Sequence, residues 1–177
     1  MQRMKHLGRV FALATICLAS TAWADQVRVP HTSVVFESPK DFTQLSVAEI
    51  GAKFPPGGPG FAVGNERRTT TIAYDFKPVA ITDNDVAGIL DGLASQLESS
   101  IPGLKWVEKK VIQLDGHPCL YLEMTSSAKN ANIHNIMLIT PQESGLLMLN
   151  FNSTLDEFPK VEPVLRTAIA SIRRSAQ

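Results

Sequence analysis

Cysteine is almost absent from this sequence. The 177 residues hold two, Cys17 and Cys119, and only Cys119 lies beyond residue 24. No internal disulfide can form in that remainder, so a secreted chain must here be held by its own core. A long apolar run is also lacking. Val10–Leu18 is about half the ~20 residues needed to cross a bilayer. There is no excess of charge either, because 17 Lys and Arg balance 17 Asp and Glu. The chain has no Gly-x-Ser-x-Gly elbow, no His-Glu-x-x-His pair, no Cys-x-x-Cys and no obvious carboxylate pair. Enzyme chemistry therefore has no positive support in the motifs.

The first 24 residues read as a secretory signal peptide. Arg3, Lys5 and Arg9 form a basic start, the short apolar run follows, and Ala22-Trp23-Ala24 offers small residues for cleavage before Asp25. A lipid anchor through Cys17 fits poorly, because Ile16 stands where Gly, Ala or Ser is usual. The expected layout is a leader over 1–24 and a single domain over 25–177. The location is then periplasmic or secreted, with no stable membrane insertion after cleavage. Losing three basic residues leaves 14 against 17 acidic ones, a balance of −3. That charge predicts no affinity for nucleic acid or an anionic membrane surface.

Beyond the leader, Val34–Phe36 reads as a strand. Ser46–Lys53 reads as a short helix with a Ser46/Glu49 capping box. In Thr69–Lys77, Ile72, Tyr74 and Phe76 alternate with Thr71, Ala73 and Asp75, the period of a strand. Thr82–Ile101 is the clearest helix. Its stripe is Val86, Ile89, Leu90, Leu93, Leu97 and Ile101, and Gly88 and Gly92 suggest close approach of a neighbour on another face. Four strands follow: Leu104–Leu114, His117–Ser126, Ile133–Thr140 and Leu146–Ser153. Asp115-Gly116 joins the first two as a type I′ hairpin turn. The last two strands are apolar on both faces, so both faces must be covered. A final helix beginning near Pro159 and Pro163 supplies one cover through Val161, Val164, Leu165, Ala168, Ile169 and Ile172. Arg173 and Arg174 are expected at its negative end. The predicted fold is α+β, a three-layer α/β/α sandwich around an antiparallel meander.

The stretch FPPGGPGFAVGNERRTT, residues 54–70, looks superficially like a phosphate loop. It lacks the required lysine, and a strand rather than a helix follows it, so it reads as a stiffened turn. His117 and Cys119 share a strand face with Tyr121 and Glu123. Two ligands fall short of the three or four a zinc site uses, and Glu123 lies about 13 Å beyond Cys119 at ~3.3 Å per residue. No cofactor or metal is expected. If the hairpins are tight, Glu123, His134 and Asn152 form one polar row across three strands. That row and Asn65, Glu66, Arg67 and Arg68 are the expected recognition surface, since loops on a rigid sheet carry recognition most often.

Three stretches, GNERRTTTIAYDF, IPGLKWVEKKVIQLDGHPCLYLEMTS and IHNIMLITPQESGLLMLNFNST with the following EFPKVEPVLRTAIASI, resemble small exported bacterial proteins with the PsbP-like α/β/α sandwich, related in fold to the DcrB lipoproteins. The resemblance covers most of the chain from about Val34 and lies in core pattern and turns. It implies a non-enzymatic role with a protein partner, as an adaptor, chaperone-like protein or assembly factor. Two alternatives stand beside it. One is a small-molecule- or metal-binding enzyme using His117, Cys119 or His134. The other is an immunity or chaperone partner of a secreted effector.

Overall fold

The computed structural model describes residues 25–128, 130–143 and 145–175; the expected leader lies outside the described residues. The centre is the meander read from the sequence: β6 Lys105–Leu114, β7 His117–Ala128, β8 Ala131–Gln142 and β9 Gly145–Thr154 (labels count all strands in chain order). The β6–β7 turn has positive φ at Asp115 (50°) and Gly116 (79°), as a type I′ hairpin requires. β7, β8 and β9 run further than expected, into hairpins that pair Ala128 with Ala131 and Gln142 with Gly145.

This meander is extended on the β9 side. β5, Thr70–Lys77, pairs with β9, followed outward by β4, Phe61–Gly64, and β3, Thr43–Gln44. The seven strands are antiparallel throughout, in the order β3-β4-β5-β9-β8-β7-β6. The second half of the Pro/Gly stretch is thus a strand and not only a bend.

Helices cover both faces, which makes the expected three-layer α+β sandwich. On one face α3, Phe158–Ala170, buries Phe158, Leu165 and Ala168 against Tyr121, Ile136, Leu138, Leu149 and Phe151. Pro159 opens this helix and Pro163 sits within it; Val164, expected in the buried stripe, is exposed. A second sheet shares this layer. β2, Val34–Glu37, pairs with β1, Gln26–Arg28, on one side and with β10, Arg173–Arg174, on the other. The two arginines therefore do not cap a helix. α3 ends at Ala170 because the chain turns there into a strand that satisfies the edge of β2.

On the other face lie α1, Val47–Lys53, and α2, Val86–Ser100. α1 has the expected capping box, and the Ser46 backbone N–H, helped by Arg68, pulls the Glu49 carboxyl down to about 2. α2 follows a 3-10 turn, Asp83–Asp85, and its stripe packs on Leu120, Leu122, Met124 and Ile139. Gly88 and Gly92 do not mark a helix contact: a Cβ on either would meet nothing within 4 Å. The close approach expected there is absent among the described residues. No described helix is long and apolar enough to cross a membrane.

Candidate functional site

The period of two along a strand decides which polar residues meet. Glu123 stands opposite Ile136, and His134 lies diagonally beside it, with Nε2 2.7 Å from Glu123 Oε1. His134 pairs with Ser153, which puts Asn152 opposite Asn135 and on the reverse face of the sheet. The three-residue row therefore splits. Glu123 and His134 come together under α3, while Asn152 looks toward the α1 and α2 side, where it accepts from Thr71 Oγ1 at 2.6 Å.

Glu123 is the hub of a buried polar cluster. It accepts a short hydrogen bond from Tyr121 Oη and an ion pair from Arg166 at 3.2 Å. Arg166 also donates to Tyr121 Oη at 2.9 Å and to Glu162 at 2.8 Å. The His134 ring stacks on Phe158 with centroids 3.5 Å apart. Burial alone would raise the Glu123 pKa, but the bonds from Tyr121 and His134 and the Arg166 charge outweigh it and hold the carboxyl below its usual range. Burial, reinforced by the Glu123 bond, pushes Tyr121 up to about 12. Every acceptor site of Glu123 is thus engaged in fastening α3 to the sheet, which suits structure better than chemistry.

The Asn65–Arg68 segment is the β4–β5 turn. The Asn65 side chain holds the turn through Thr69 Oγ1 and the Thr70 N–H. Arg68, at φ 54°, donates to Glu49, Thr43 Oγ1 and the Gly64 and Asn65 carbonyls, tying β3, α1 and β4 together. Arg67 pairs with Glu157 at 2.6 Å, and Glu66 is exposed. Asn65 and Arg68 are therefore consumed by the fold.

His117 pairs with Asp83 at 2.9 Å on the surface, whereas Cys119 is fully buried. Burial dominates over the Ile139 backbone bond and the Arg174 charge, and pushes the thiol up to about 12. A thiol held there is not a nucleophile at neutral pH. The native protein should show no reaction with a maleimide at pH 7.5 over an hour, and one thiol per chain beyond residue 24 after unfolding in guanidinium. Rapid native labelling would overturn this reading. Among the described residues, no group of three or more His, Cys, Asp and Glu side chains could hold a metal ion.

What the polar row does not supply, the reverse face does. In register across the sheet run Asp75–Met148–Ile139, Ala73–Asn150–Met137 and Thr71–Asn152–Asn135. α2 covers Leu120, Leu122 and Ile139, and α1 covers Ala62 and Ala73. Between those strips lies a hollow of about 360 Å³, floored by Met137, Met148 and Asn150 and walled by Phe54, Pro55 and Pro59. A second hollow of about 180 Å³ continues it, lined by Lys53, Ser126, Asn135 and Asn152, and shares Phe54 and Asn150 with the first. Among the described residues, buried Asn150 Oδ1 has no hydrogen-bond partner. Such an acceptor costs roughly 1–3 kcal/mol. Asn150 is the residue that sequence reasoning missed. Its signal was present, since every other residue of Leu146–Phe151 is apolar.

No family model matches the sequence, and no curated protein sequence does. The fold has solved counterparts. The cyanobacterial PsbP (CyanoP) of Synechocystis sp. PCC 6803 superposes with a TM-score of 0.60 at 12% identity, covering 92% of this chain and 99% of that one. LpqN of Mycobacterium tuberculosis, described as involved in cell envelope biogenesis, gives 0.56 at 14% identity over 79% and 82% of the two chains. PA94 of Pseudomonas aeruginosa, a protein of unknown function described as a putative regulator, gives 0.52 at 16% identity over 86% and 98%. At these identities the likeness speaks for architecture alone, and it agrees with the resemblance carried by the sequence: this chain has the PsbP-like α+β fold.

Proposed function

We propose that this protein is a soluble, periplasmic, non-enzymatic binding module that recognises a partner protein through the hollow beneath the Phe54–Pro59 loop. The observation that carries this is the contrast between the two sheet faces. On the α3 face the titratable groups are bonded to one another, and Cys119 is sealed in the core. On the other face an apolar hollow adjoins a buried acceptor with no donor. A site that keeps a polar atom unpaired is better suited to receiving a group than to holding the fold. The leader expected over 1–24 supports export. The shared architecture with PsbP and LpqN supports a module of this shape without choosing its partner.

The test is capture of one reproducible partner from cell envelopes by the tagged full chain. Met148→Arg, with its side chain at the half-buried floor of the hollow, should reduce recovery at least tenfold while the circular dichroism spectrum stays that of the parent. Arg67→Ala, on the β4–β5 turn, should retain the partner. If the partner survives Met148→Arg and is lost with Arg67→Ala, recognition belongs to the turn and this assignment fails.

A further inference from the structure

We infer that the occupant of this hollow is an extended peptide segment of the partner, with a large apolar side chain on Met137 and Met148 and a backbone N–H donated to Asn150 Oδ1. The inference rests on the binding role proposed above and specifies its chemistry. On this face β9 presents Met148, Asn150 and Asn152 at every second residue. The floor therefore changes from thioether to amide in steps of about 6.6 Å. An extended peptide has the same repeat, so alternate side chains of a segment lying along β9 meet successive floor residues.

The order of the floor selects the ligand class. Over Met148 the hollow is lined by Phe54, Pro55 and Pro59, an apolar and conformable setting for an aliphatic or aromatic side chain, with Asp75, the register partner of Met148, and Lys77 paired to each other at its side. One step on, Asn150 carries an acceptor without a donor; the oxygen is buried, and a turn of this half-buried side chain brings it to the hollow. One step further, Asn135 and Asn152 line the second hollow with Ser126 and Lys53. An acyl chain long enough to cross these levels would lay methylenes against the side-chain amides of Asn135, Asn150 and Asn152 and offer them no hydrogen bond. A peptide brings an N–H and a C=O at every residue, and a primary amide can pair with both. The floor is a sheet face and not an edge, so the contact is made through side-chain amides rather than by adding a strand.

Beyond residue 24 the methionines are Met124, Met137 and Met148, and Met124 is buried under α2 as an internal reference. The full protein labelled with methyl-13C methionine is titrated with acetyl-Ser-Leu-Ala-Asn-Ser-amide. Saturable shifts are expected at Met137 and Met148, with Met124 unmoved. Replacing the Leu of the probe by Ser, or methylating its backbone nitrogens, should weaken binding at least tenfold. Asn150→Leu, close in volume, should raise Tm by about 2–6 °C by removing the unpaired oxygen, and weaken the peptide at least tenfold. Decanoate moving the two methyls more strongly than the peptide would overturn the inference in favour of an amphiphile. Still methyls with every probe, in a protein whose partner capture Met148→Arg abolishes, would overturn the peptide chemistry and leave the binding role standing. Failure of both experiments would remove the role as well.

Discussion

Replacing Glu123 by Ala should lower stability by about 3 kcal/mol and Tm by about 6–12 °C, without touching the surface that we assign to binding. The carboxylate is buried and serves Tyr121, His134 and Arg166 together. Removing it leaves the Tyr121 hydroxyl and the His134 ring short of an acceptor and the Arg166 guanidinium without its inner partner. Breaking a fully buried ion pair by deleting one member costs 3–5 kcal/mol. The lower end applies here because Arg166 is partly exposed and keeps Glu162. The effect should depend on pH with a definite sign. The folded protein holds the Glu123 pKa below its ordinary value, so the stabilisation is complete above the unfolded value near 4.5 and is lost as pH falls through the lower folded value. Urea melts at pH 7 and pH 3.5 read this directly. The gap between parent and variant should be widest at pH 7 and narrower at pH 3.5. A gap below about 1 kcal/mol at pH 7, or one that grows toward acid, would show that Glu123 does not fasten α3.

The same cluster shows what the sequence could and could not disclose. Glu123 and His134 were legible as neighbours because the β7–β8 hairpin is tight and both residues face α3. The sequence pattern places Asn152 in the same row, whereas the β8–β9 pairing puts it on the opposite side. Side chains alternate with a period of two, so one residue of register exchanges the faces of a whole strand. No local pattern in Leu146–Thr154 fixes that residue; the pairing of β9 with both β5 and β8 does. The meander itself was readable because its pairings are local, and α2 because its apolar stripe repeats at helical spacing over the whole element. The hollow was not readable, since it is defined by what α1 and α2 leave uncovered. Where two short helices stop over a sheet depends on packing against residues that lie far away along the chain.

The small β1-β2-β10 sheet is the strongest case of such non-local design, and Phe36→Ala should expose its weight. Val34–Phe36 reads as a strand from its β-branched and aromatic residues, but nothing near it in sequence names its partners. One of them, Arg173–Arg174, comes from the other end of the described chain. Phe36 is fully buried and meets Phe151 of the central sheet edge-on, with centroids 6.4 Å apart at 67°. It therefore pins the small sheet to the large one across the α3 layer. Truncating a buried Phe to Ala costs about 3–5 kcal/mol, from lost transfer energy and the cavity left behind. The loss should have two parts that hydrogen exchange separates. Global unfolding becomes easier, and the amides of Val29 and Ser175, which donate to the Val34 and Ser33 carbonyls, lose additional protection because the contact that holds β2 down is gone. The binding hollow lies on the reverse face, so at 15 °C, while the variant remains folded, its affinity for the peptide probe should stay within threefold of the parent. If Phe36→Ala costs under 1 kcal/mol, the small sheet is an appendage and α3 alone closes that face. If the probe is lost with the fold intact, the two faces are coupled through the sheet, and the hollow cannot be treated as a site independent of the core beneath it.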